Sequence, residues 1–411
     1  MSVRDVHIKD FSYVLPPERI AQFPLEQRDA SLLLIYRNGT LSHTMFRNLP
    51  QWVPSGSLMV FNDTRVIQAR LLGRTETGAW IEVFLLQPVA PFTDLQLAMF
   101  QHGHCEWRCM VGNARRWRHR ILQVPFAAAG QSGMLTLTKK GKLDSDFLIE
   151  LRWSPETLSL FSVLEAAGHV PLPPYIKRSD RPEDRERYQT IFGHRDGSVA
   201  SPTASLHFTE QVLDELKQND VQRLFLTLHI SAGTFLPVKA DRLGDHQMHD
   251  EQICVHRYVL DRLLQWTRTN KPQRPPLISV GTTVMRSLES LYWLGCRLLR
   301  GQSLEVGQWD PYDKNSDMPV DQALSALVQH LDQEQNHQLI FSSRLLIAPG
   351  YRFRLVNALI TNFHLPQSTL LLLVAAFVGD DWKRIYEYAL QHDFRFLSYG
   401  DSSLLFAPPG H

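Results

Sequence analysis

The sequence concentrates groups able to transfer protons in one short segment. Residues 245–251 read Asp-His-Gln-Met-His-Asp-Glu and hold two imidazoles and three carboxylates. Histidine changes its charge near neutral pH and a carboxylate can orient it, so this composition suits a metal site or a general acid and base. On a helix, His246 and His249 would share a face. A solvated polar loop explains the same residues equally well, and spacing alone does not separate the two interpretations.

Two other segments predict ligand contacts through small and hydroxyl-bearing residues. Residues 198–209 are rich in Ser and Thr and end where helical spacing starts, and Gly281-Thr282-Thr283 lies between an apolar run and another helical pattern. Backbone N–H groups at the start of a helix favour an anion. Neither segment matches a phosphate loop or a dinucleotide-binding motif. Ordinary capped turns remain the alternative for both.

A third cluster contains residue types that bind metals. His102, His104, Cys105 and Cys109 lie close together, and both residue types bind zinc. The cluster lacks the two separated ligand pairs of a zinc site and lies among β-prone residues. We favour a strand with incidental polar positions and predict no metal site.

Arginine and tryptophan alternate in a way that suits RNA. Arg115, Arg116 and Arg118 flank Trp117, and Lys177 and Arg178 begin a second basic stretch. Arginine forks fit phosphates and stack on bases. Solvated charged surface is the alternative, because acidic residues dilute the second stretch. The balance of 43 basic against 42 acidic residues excludes a strongly basic scaffold but not one basic face.

Composition indicates a folded, cytoplasmic protein. The 411 residues suffice for two to three domains, 44% are hydrophobic, and four cysteines are too few for a disulfide framework. The N-terminus is charged and lacks the apolar stretch of a signal peptide. The longest apolar run, residues 370–378, is too short to span a membrane and predicts a buried helix.

The helices and strands that must position these residues are predicted to form two domains. Residues 70–152 contain short β-prone runs separated by Gly and Pro, which predicts an inserted all-β domain. Apolar runs alternate with helical patterns after residue 154, so residues 1–69 and 153–411 are expected to form a discontinuous α/β domain. In the stretch 300–338, a stripe of Val320, Leu324, Leu327 and Leu331 predicts a helix docked on that domain.

Read together, the motifs resemble the S-adenosylmethionine:tRNA ribosyltransferase-isomerase family of queuosine biosynthesis. The resembling stretches are 15–22, Arg28-Asp29-Ala30-Ser31, 61–67, 168–176, 184–190, 197–210, Ala232-Gly233-Thr234-Phe235, the His246/His249 cluster, Gly281-Thr282-Thr283, 349–351, 361–366 and Ser398-Tyr399-Gly400-Asp401. They run in order from one end of the chain to the other. Such a series is highly specific for the family, although not for its reaction.

The resemblance implies a larger α/β domain containing a β-barrel, with a smaller inserted all-β domain. It implies that the ribosyl moiety of S-adenosylmethionine is transferred and isomerised onto the aminomethyl group of 7-aminomethyl-7-deazaguanine in the tRNA anticodon. The products are epoxyqueuosine-tRNA, adenine and methionine. No metal or prosthetic group is implied, since S-adenosylmethionine is the donor substrate, and we expect a monomer that binds no membrane.

This chemistry assigns roles to the candidate residues. Proton transfer near neutral pH favours histidine with a carboxylate, and its candidates are His207, His229, His246, His249 and Glu251. The candidates for substrate binding are Thr203, Gly281, Thr282, Thr283, Asn362, His364 and Asp401. The candidates for RNA binding are Arg115, Arg116, Arg118, Lys177 and Arg178.

Some positions depart from the family's pattern. They are Ser201, Ser205, Ile230-Ser231, Asp250 and Val284-Met285, together with the insertion-like stretch 300–338. Two further hypotheses therefore stand beside ribosyl transfer to this tRNA. One is a family relative that acts on a different acceptor, and the other is a non-catalytic RNA-binding relative.

Overall fold

An extended mixed sheet and a closed barrel make up the β structure. The computed structural model describes residues 2–75, 77–118, 121–128, 130–143, 146–230, 238, 240–269, 274–312 and 318–408. Its strands are β1 (Leu32–Arg37), β2 (Thr40–Met45), β3 (Leu58–Asn62), β4 (Thr64–Val66), β5 (Arg70–Arg74), β6 (Trp80–Ala90), β7 (His104–Gly112), β8 (Ile121–Ala128), β9 (Gln131–Leu143), β10 (Asp146–Ser154), β11 (Arg195–Ser198), β12 (Gln222–Leu228), β13 (Glu251–His256), β14 (Leu277–Val280), β15 (Glu305–Val306), β16 (Gln338–Ser343), β17 (Ala358–Asn362) and β18 (Ser402–Phe406). Its α-helices are α1 (Leu95–Met99), α2 (Leu160–Ala167), α3 (Asp184–Arg187), α4 (Glu210–Gln218), α5 (Arg257–Arg268), α6 (Thr282–Leu298), α7 (Val320–Gln333), α8 (Thr369–Val378) and α9 (Trp382–Gln391).

The large sheet has ten strands in the order β15-β16-β13-β12-β3-β14-β17-β18-β1-β2. Its centre, β12-β3-β14-β17, is parallel, and β3, β14 and β17 are buried along their whole length. Apolar side chains on both faces explain why these strands read as continuous hydrophobic runs rather than as alternating patterns. Val280 at the end of β14 pairs with Ile360 of β17. The residues that follow these two strands therefore emerge next to each other.

The strands β5 to β10 close into a six-stranded barrel in the order β10-β7-β6-β5-β8-β9. Alternate residues of β7, namely Cys105, Trp107 and Cys109, point into its apolar core. The α/β class, the presence of a β-barrel and the all-β texture of the inserted segment are confirmed. The barrel itself is formed by the inserted segment, whereas the resemblance placed a barrel in the larger domain, where the strands instead form the ten-stranded sheet. The division into two domains at 69/70 and 152/153 stays a prediction.

The stretch 300–338 docks on the α/β part as expected. Helix α7 buries Leu324, Leu327 and Leu331 against α6 and α5, with Val320 packed at the margin. Gly295 of α6 permits this approach, because a Cβ there would lie 2.1 Å from the carbonyl oxygen of Ala323. The apolar run 370–378 belongs to α8, which is buried in the same core. Among the described residues, none of the helices has both the length and the apolar character needed to cross a membrane.

Candidate active site

A cavity opens beyond the carboxyl ends of β14 and β17. It comprises about 680 Å³ when the open space at its mouth is included. Its lining residues are Tyr175, Ser201, Pro202, Thr203, Ala204, Ile230, Gly281, Thr282, Thr283, Thr361, Asn362, Phe363, His364, Leu365, Ser368, Leu370, Leu397 and Ser398. Ligands of open α/β sheets bind at this end of the strands. Six of the seven residues predicted to bind substrate meet in this wall.

The start of α6 forms one side of the cavity. Gly281 adopts a φ of 101°, a left-handed conformation that only glycine takes without strain, and turns the chain from β14 into the helix. Its amide is held by the carbonyl oxygen of Ile360 at 2.8 Å. Thr282 and Thr283 occupy the first helical turn, where amides lack intrahelical acceptors and the helix dipole is positive. This side of the cavity favours an anionic group.

Asn362, at the end of the neighbouring strand β17, is held in the cavity wall by His207 and by two backbone carbonyls. The Asn362 amide nitrogen donates to the carbonyl oxygens of Leu397 and Ser398 at 2.9 and 3.2 Å, which leaves its oxygen to accept from Nε2 of His207 at 3.1 Å. Nδ1 of His207 then accepts from the Ser31 hydroxyl at 2.8 Å. Burial lowers the pKa of His207 to about 4, so the imidazole is neutral at pH 7. Both ring nitrogens are engaged, and His207 supports the wall from behind.

His364 lies in the wall itself. Its Nε2 and the Thr361 hydroxyl are 3.0 Å apart, and its backbone is held on both sides, by the hydroxyls of Tyr13 and Tyr386. Burial lowers its pKa to about 3. His364 is therefore a neutral polar group at the cavity surface, as its predicted binding role requires.

Sequence reasoning missed three polar groups of the wall. The Tyr175 and Ser398 hydroxyls lie 2.7 Å apart and join two distant segments of the chain. The hydroxyl of Ser201 is buried without a hydrogen-bond partner among the described residues. A buried, unsatisfied hydroxyl in a cavity wall is a natural contact for a polar ligand atom. All three stood within motifs, and Ser201 was named as a departure from the family's pattern, but no spacing rule indicated that they contact a ligand.

The cluster 245–251 does not form a helix. A 3₁₀ turn, Leu243–Asp245, leads through extended residues into β13, so His246 and His249 do not share a helical face. Burial, and then the neighbouring His249, lower the pKa of His246, while His249 itself is exposed. The buried carboxylate of Glu251 is paired with Arg286 of α6. None of these three predicted catalytic residues is among those that line the cavity.

His229 occupies a separate environment at the end of β12. Its Nδ1 lies 3.2 Å from the Thr64 hydroxyl, and a Cβ on Gly197 would approach its ring within 2.9 Å. Burial lowers the pKa of His229 to about 4. The next residue, Ile230, lines the cavity. The motif Ala232-Gly233-Thr234-Phe235 follows directly but lies outside the described residues.

Asp401 is placed behind the wall rather than in it. Its carboxylate accepts from the amides of Leu32 and Arg395 at 3.0 and 2.7 Å and from the Arg395 guanidinium at 3.2 Å. These bonds join the beginnings of β1 and β18. The contacts are those of a structural carboxylate, and its predicted role in substrate binding stays a prediction.

The residues predicted to bind RNA differ in their solvent exposure and in their hydrogen bonds. Arg115, Arg116 and Arg118 are exposed on the turn after β7, and Lys177 is exposed on the α/β part. Arg178 instead donates two hydrogen bonds, of 2.6 and 2.8 Å, to the buried carboxylate of Asp184. That bond raises the pKa of Arg178. Burial alone would raise the pKa of Asp184, but the bonds it accepts, first from Arg178, lower it overall.

The histidine and cysteine cluster of β7 has no metal-site geometry. Cys105 and Cys109 lie in the barrel core, where burial raises the pKa of both thiols. In the described part of the chain, no three His, Cys, Asp or Glu side chains are grouped as a metal would require.

The sheet, the cavity at the ends of its parallel strands and the helix start in its wall define an α/β protein with a cavity at the carboxyl edge of its sheet. The chain belongs to the queuosine biosynthesis protein family, whose model matches residues 8–405. A relative from Aromatoleum aromaticum is 37% identical over 97% of both chains, and one from Sulfurihydrogenibium is 34% identical over 97% of this chain and 99% of its own. Both are named S-adenosylmethionine:tRNA ribosyltransferase-isomerase.

A crystal structure of S-adenosylmethionine tRNA ribosyltransferase from Thermotoga maritima is 25% identical and matches with a TM-score of 0.46 over 97% of this chain and 100% of that one. The family resemblance drawn from the motifs is confirmed by the family model and the curated relatives. The expectation of an enzyme of the ribosyltransferase-isomerase type is confirmed at the level of the family.

Proposed function

We propose that the protein transfers and isomerises the ribosyl moiety of S-adenosylmethionine onto the aminomethyl group of 7-aminomethyl-7-deazaguanine in tRNA. The products are epoxyqueuosine-tRNA, adenine and methionine. The observation that carries the proposal is the cavity at the ends of β14 and β17, in a chain whose curated relatives share this named activity over nearly their full length. The anticodon region as the bound part of the tRNA, a monomeric state and a cytoplasmic location belong to the same proposal.

The donor fits the chemistry of the wall. The methionine carboxylate suits the positive start of α6 at Thr282 and Thr283. The amide of Asn362 and the hydroxyls of Thr203 and Ser201 are uncharged groups that can orient adenine and ribose. A wall of neutral polar groups accepts the sulfonium cation without placing another cation beside it.

The reaction then requires several proton transfers. The sulfonium acidifies the adjacent C5′ hydrogens, the acceptor amine must be neutral to attack, adenine must leave, and closure of the epoxide must expel methionine. Neutral histidines are in the form that accepts a proton, and burial keeps His207 and His229 in that form at pH 7.

The contacts of the five catalytic candidates support different roles in the reaction. His207 has both nitrogens engaged and Glu251 is paired with Arg286, so we propose that they position neighbouring groups. His229 has no hydrogen bond to Nε2 from the described residues and precedes Ile230 of the wall. We therefore propose His229 as the proton acceptor. His246 and His249 remain candidates that would have to reach the acceptor from outside the cavity.

Product analysis tests the proposal. Purified protein, S-adenosylmethionine and tRNA bearing the aminomethyl-deazaguanine should release adenine and methionine in equal amounts, and tRNA without that base should give neither. Formation of S-adenosylhomocysteine would refute the reaction class. Adenine release with a different RNA would instead support the relative with another acceptor, and tight RNA binding without turnover would support the non-catalytic relative.

A further inference from the structure

A second, smaller pocket adjoins the cavity and is rich in arginine. It comprises about 290 Å³ when the open space at its mouth is included, and its lining includes Arg28, Arg187 and Arg395. Ser398 belongs to the walls of both pockets. His207 also lies in this lining and reaches the cavity through its bond to Asn362. The two pockets are thus separated by a single layer of side chains.

The positive charge of this pocket is largely uncompensated. Arg28 donates to the carbonyl oxygens of Gln189 and Glu186 at 2.8 and 2.9 Å, and Arg187 donates to backbone carbonyl oxygens of residues 25 and 26. These carbonyl oxygens hold the guanidiniums of Arg28 and Arg187 in place but carry no formal negative charge. Within the described residues, neither guanidinium has a carboxylate within 4.0 Å. Burial, and then the neighbouring Arg187, lower the pKa of Arg28, as expected for like charges held together.

Among the described residues, Arg395 is the only one of the three arginines with a carboxylate in ion-pair range, while exposed Glu186 lies near Arg28 at a longer distance. Its guanidinium lies 3.2 Å from Asp401, but that carboxylate also accepts two backbone amides. The imidazole of His207 is neutral and adds no charge of either sign at pH 7. Three guanidiniums and a single shared carboxylate leave a pocket suited to an anion.

We propose that Arg28, Arg187 and Arg395 bind a backbone phosphate of the acceptor RNA next to the nucleotide that enters the cavity, an inference that rests on the proposed function. A phosphodiester carries one negative charge that two oxygens share, and it has no positive group. The amino-acid end of S-adenosylmethionine places an ammonium one carbon from its carboxylate, and three guanidiniums would repel it. The pocket therefore fits the RNA better than the donor.

The surface beside the pocket has groups that suit contact with an RNA strand. Phe23 is 44% exposed, and the guanidiniums of Arg178 and Arg181 lie 4.4 and 4.5 Å from its ring centre. The next two residues of the chain, Pro24 and Leu25, line the arginine pocket. Exposed aromatic rings and arginine planes are the platforms on which unpaired bases stack. A phosphate in the pocket would place a neighbouring base within reach of this platform.

The test measures binding of an anticodon stem-loop RNA as a function of salt. Arg187→Gln should weaken binding roughly tenfold through loss of a charge-assisted bond, and the slope of log affinity against log salt should fall by about 0.7. Arg187→Lys should keep the slope because it keeps the charge. Arg185→Gln, an exposed arginine of the same helix α3, is the matched control and should bind as the wild type does.

A second measurement alters the RNA instead of the protein. Single neutral methylphosphonate linkages placed beside the target nucleotide should weaken wild-type binding at one position. At that position they should cause little further loss in Arg187→Gln. Unchanged affinity for every such RNA, an unchanged slope in Arg187→Gln, or a loss of S-adenosylmethionine affinity in that variant would each overturn the proposal. Adenine release by the wild type, measured in parallel, reports on the proposed function separately.

Discussion

At the scale of single residues, the state of His207 decides what it can do. Because one ring nitrogen donates to Asn362 and the other accepts from Ser31, the ring can take a proton only if the Ser31 hydroxyl turns to accept instead of donate. The low pKa of His207 has a different cause: burial disfavours the charged ring and outweighs the bond to Asn362, which acts in the opposite direction. We therefore assign His207 to the positioning of Asn362.

Replacing His207 tests this assignment. His207→Gln should lower kcat by roughly tenfold to a hundredfold, because small displacements of a positioning group are costly. The shape of the pH–rate profile should not change, since His207 does not titrate near neutral pH. Exposed His337→Gln is the control. Loss of an ionisation from the profile would show that His207 acts as the base.

Acid stability provides an independent test of the same residue. The folded-state pKa of about 4 lies below the usual 6.5, so the unfolded chain binds more protons between these values. The stability from neutral His207 is complete above pH 6.5 and is lost as the pH falls towards 4. Between pH 7 and pH 5 the loss is about 2 kcal/mol for one such histidine.

Urea unfolding measures this loss. His207→Gln is expected to be less stable than the wild type at pH 7 but to lose about 2 kcal/mol less on going to pH 5. The exposed His337→Gln should follow the wild type. Equal losses in His207→Gln and the wild type would mean that His207 already titrates normally in the folded protein.

At the scale of elements, the contact between α6 and α7 depends on Gly295. A Cβ there would meet the Ala323 carbonyl at 2.1 Å, and backbone cannot move away as a side chain would. Gly295→Ala gains about 1 kcal/mol of helix propensity, but overpacking costs about 1–3 kcal/mol or more. We expect net destabilisation by about 1–2 kcal/mol.

Denaturant midpoints measured at constant slope check this prediction. Gly141→Ala is the control, because no atom lies within 4 Å of its added Cβ. Since α7 belongs to the stretch expected to be peripheral to catalysis, Gly295→Ala should keep its turnover per folded molecule. A stable variant without turnover would instead connect α7 to the site.

The sequence predicted those parts of the site that follow from local patterns. An apolar run that ends at Gly281-Thr282-Thr283, and another that ends at Thr361-Asn362, mark strand ends whatever the strand order is. The order β3-β14-β17 that brings them together comes from tertiary pairing, which no local period encodes. The bonds from His207 to Asn362 and from Tyr175 to Ser398 span 155 and 223 residues, so neither could be read from spacing.

At the scale of the whole molecule, exposed basic residues of the barrel segment and of the α/β part are expected to contribute to RNA binding. Reversing the charges of Arg115, Arg116, Arg118 and Lys177 should weaken tRNA binding and flatten its salt dependence. Binding of S-adenosylmethionine should be unaffected, because none of the four lines the cavity. Filter binding at several salt concentrations measures the tRNA affinity and its salt dependence. Unchanged affinity and slope would remove these residues from the RNA path.

In the proposed reaction, the ribosyl part of the donor, and not its methyl group, reaches the RNA. S-adenosylmethionine labelled with one isotope in the ribose and another in the methyl group separates the two fates in a single incubation with aminomethyl-deazaguanine tRNA. Ribosyl transfer should place the ribose label in the tRNA nucleoside and the methyl label in free methionine. A methyl label in the tRNA, with the ribose label in S-adenosylhomocysteine, would contradict it.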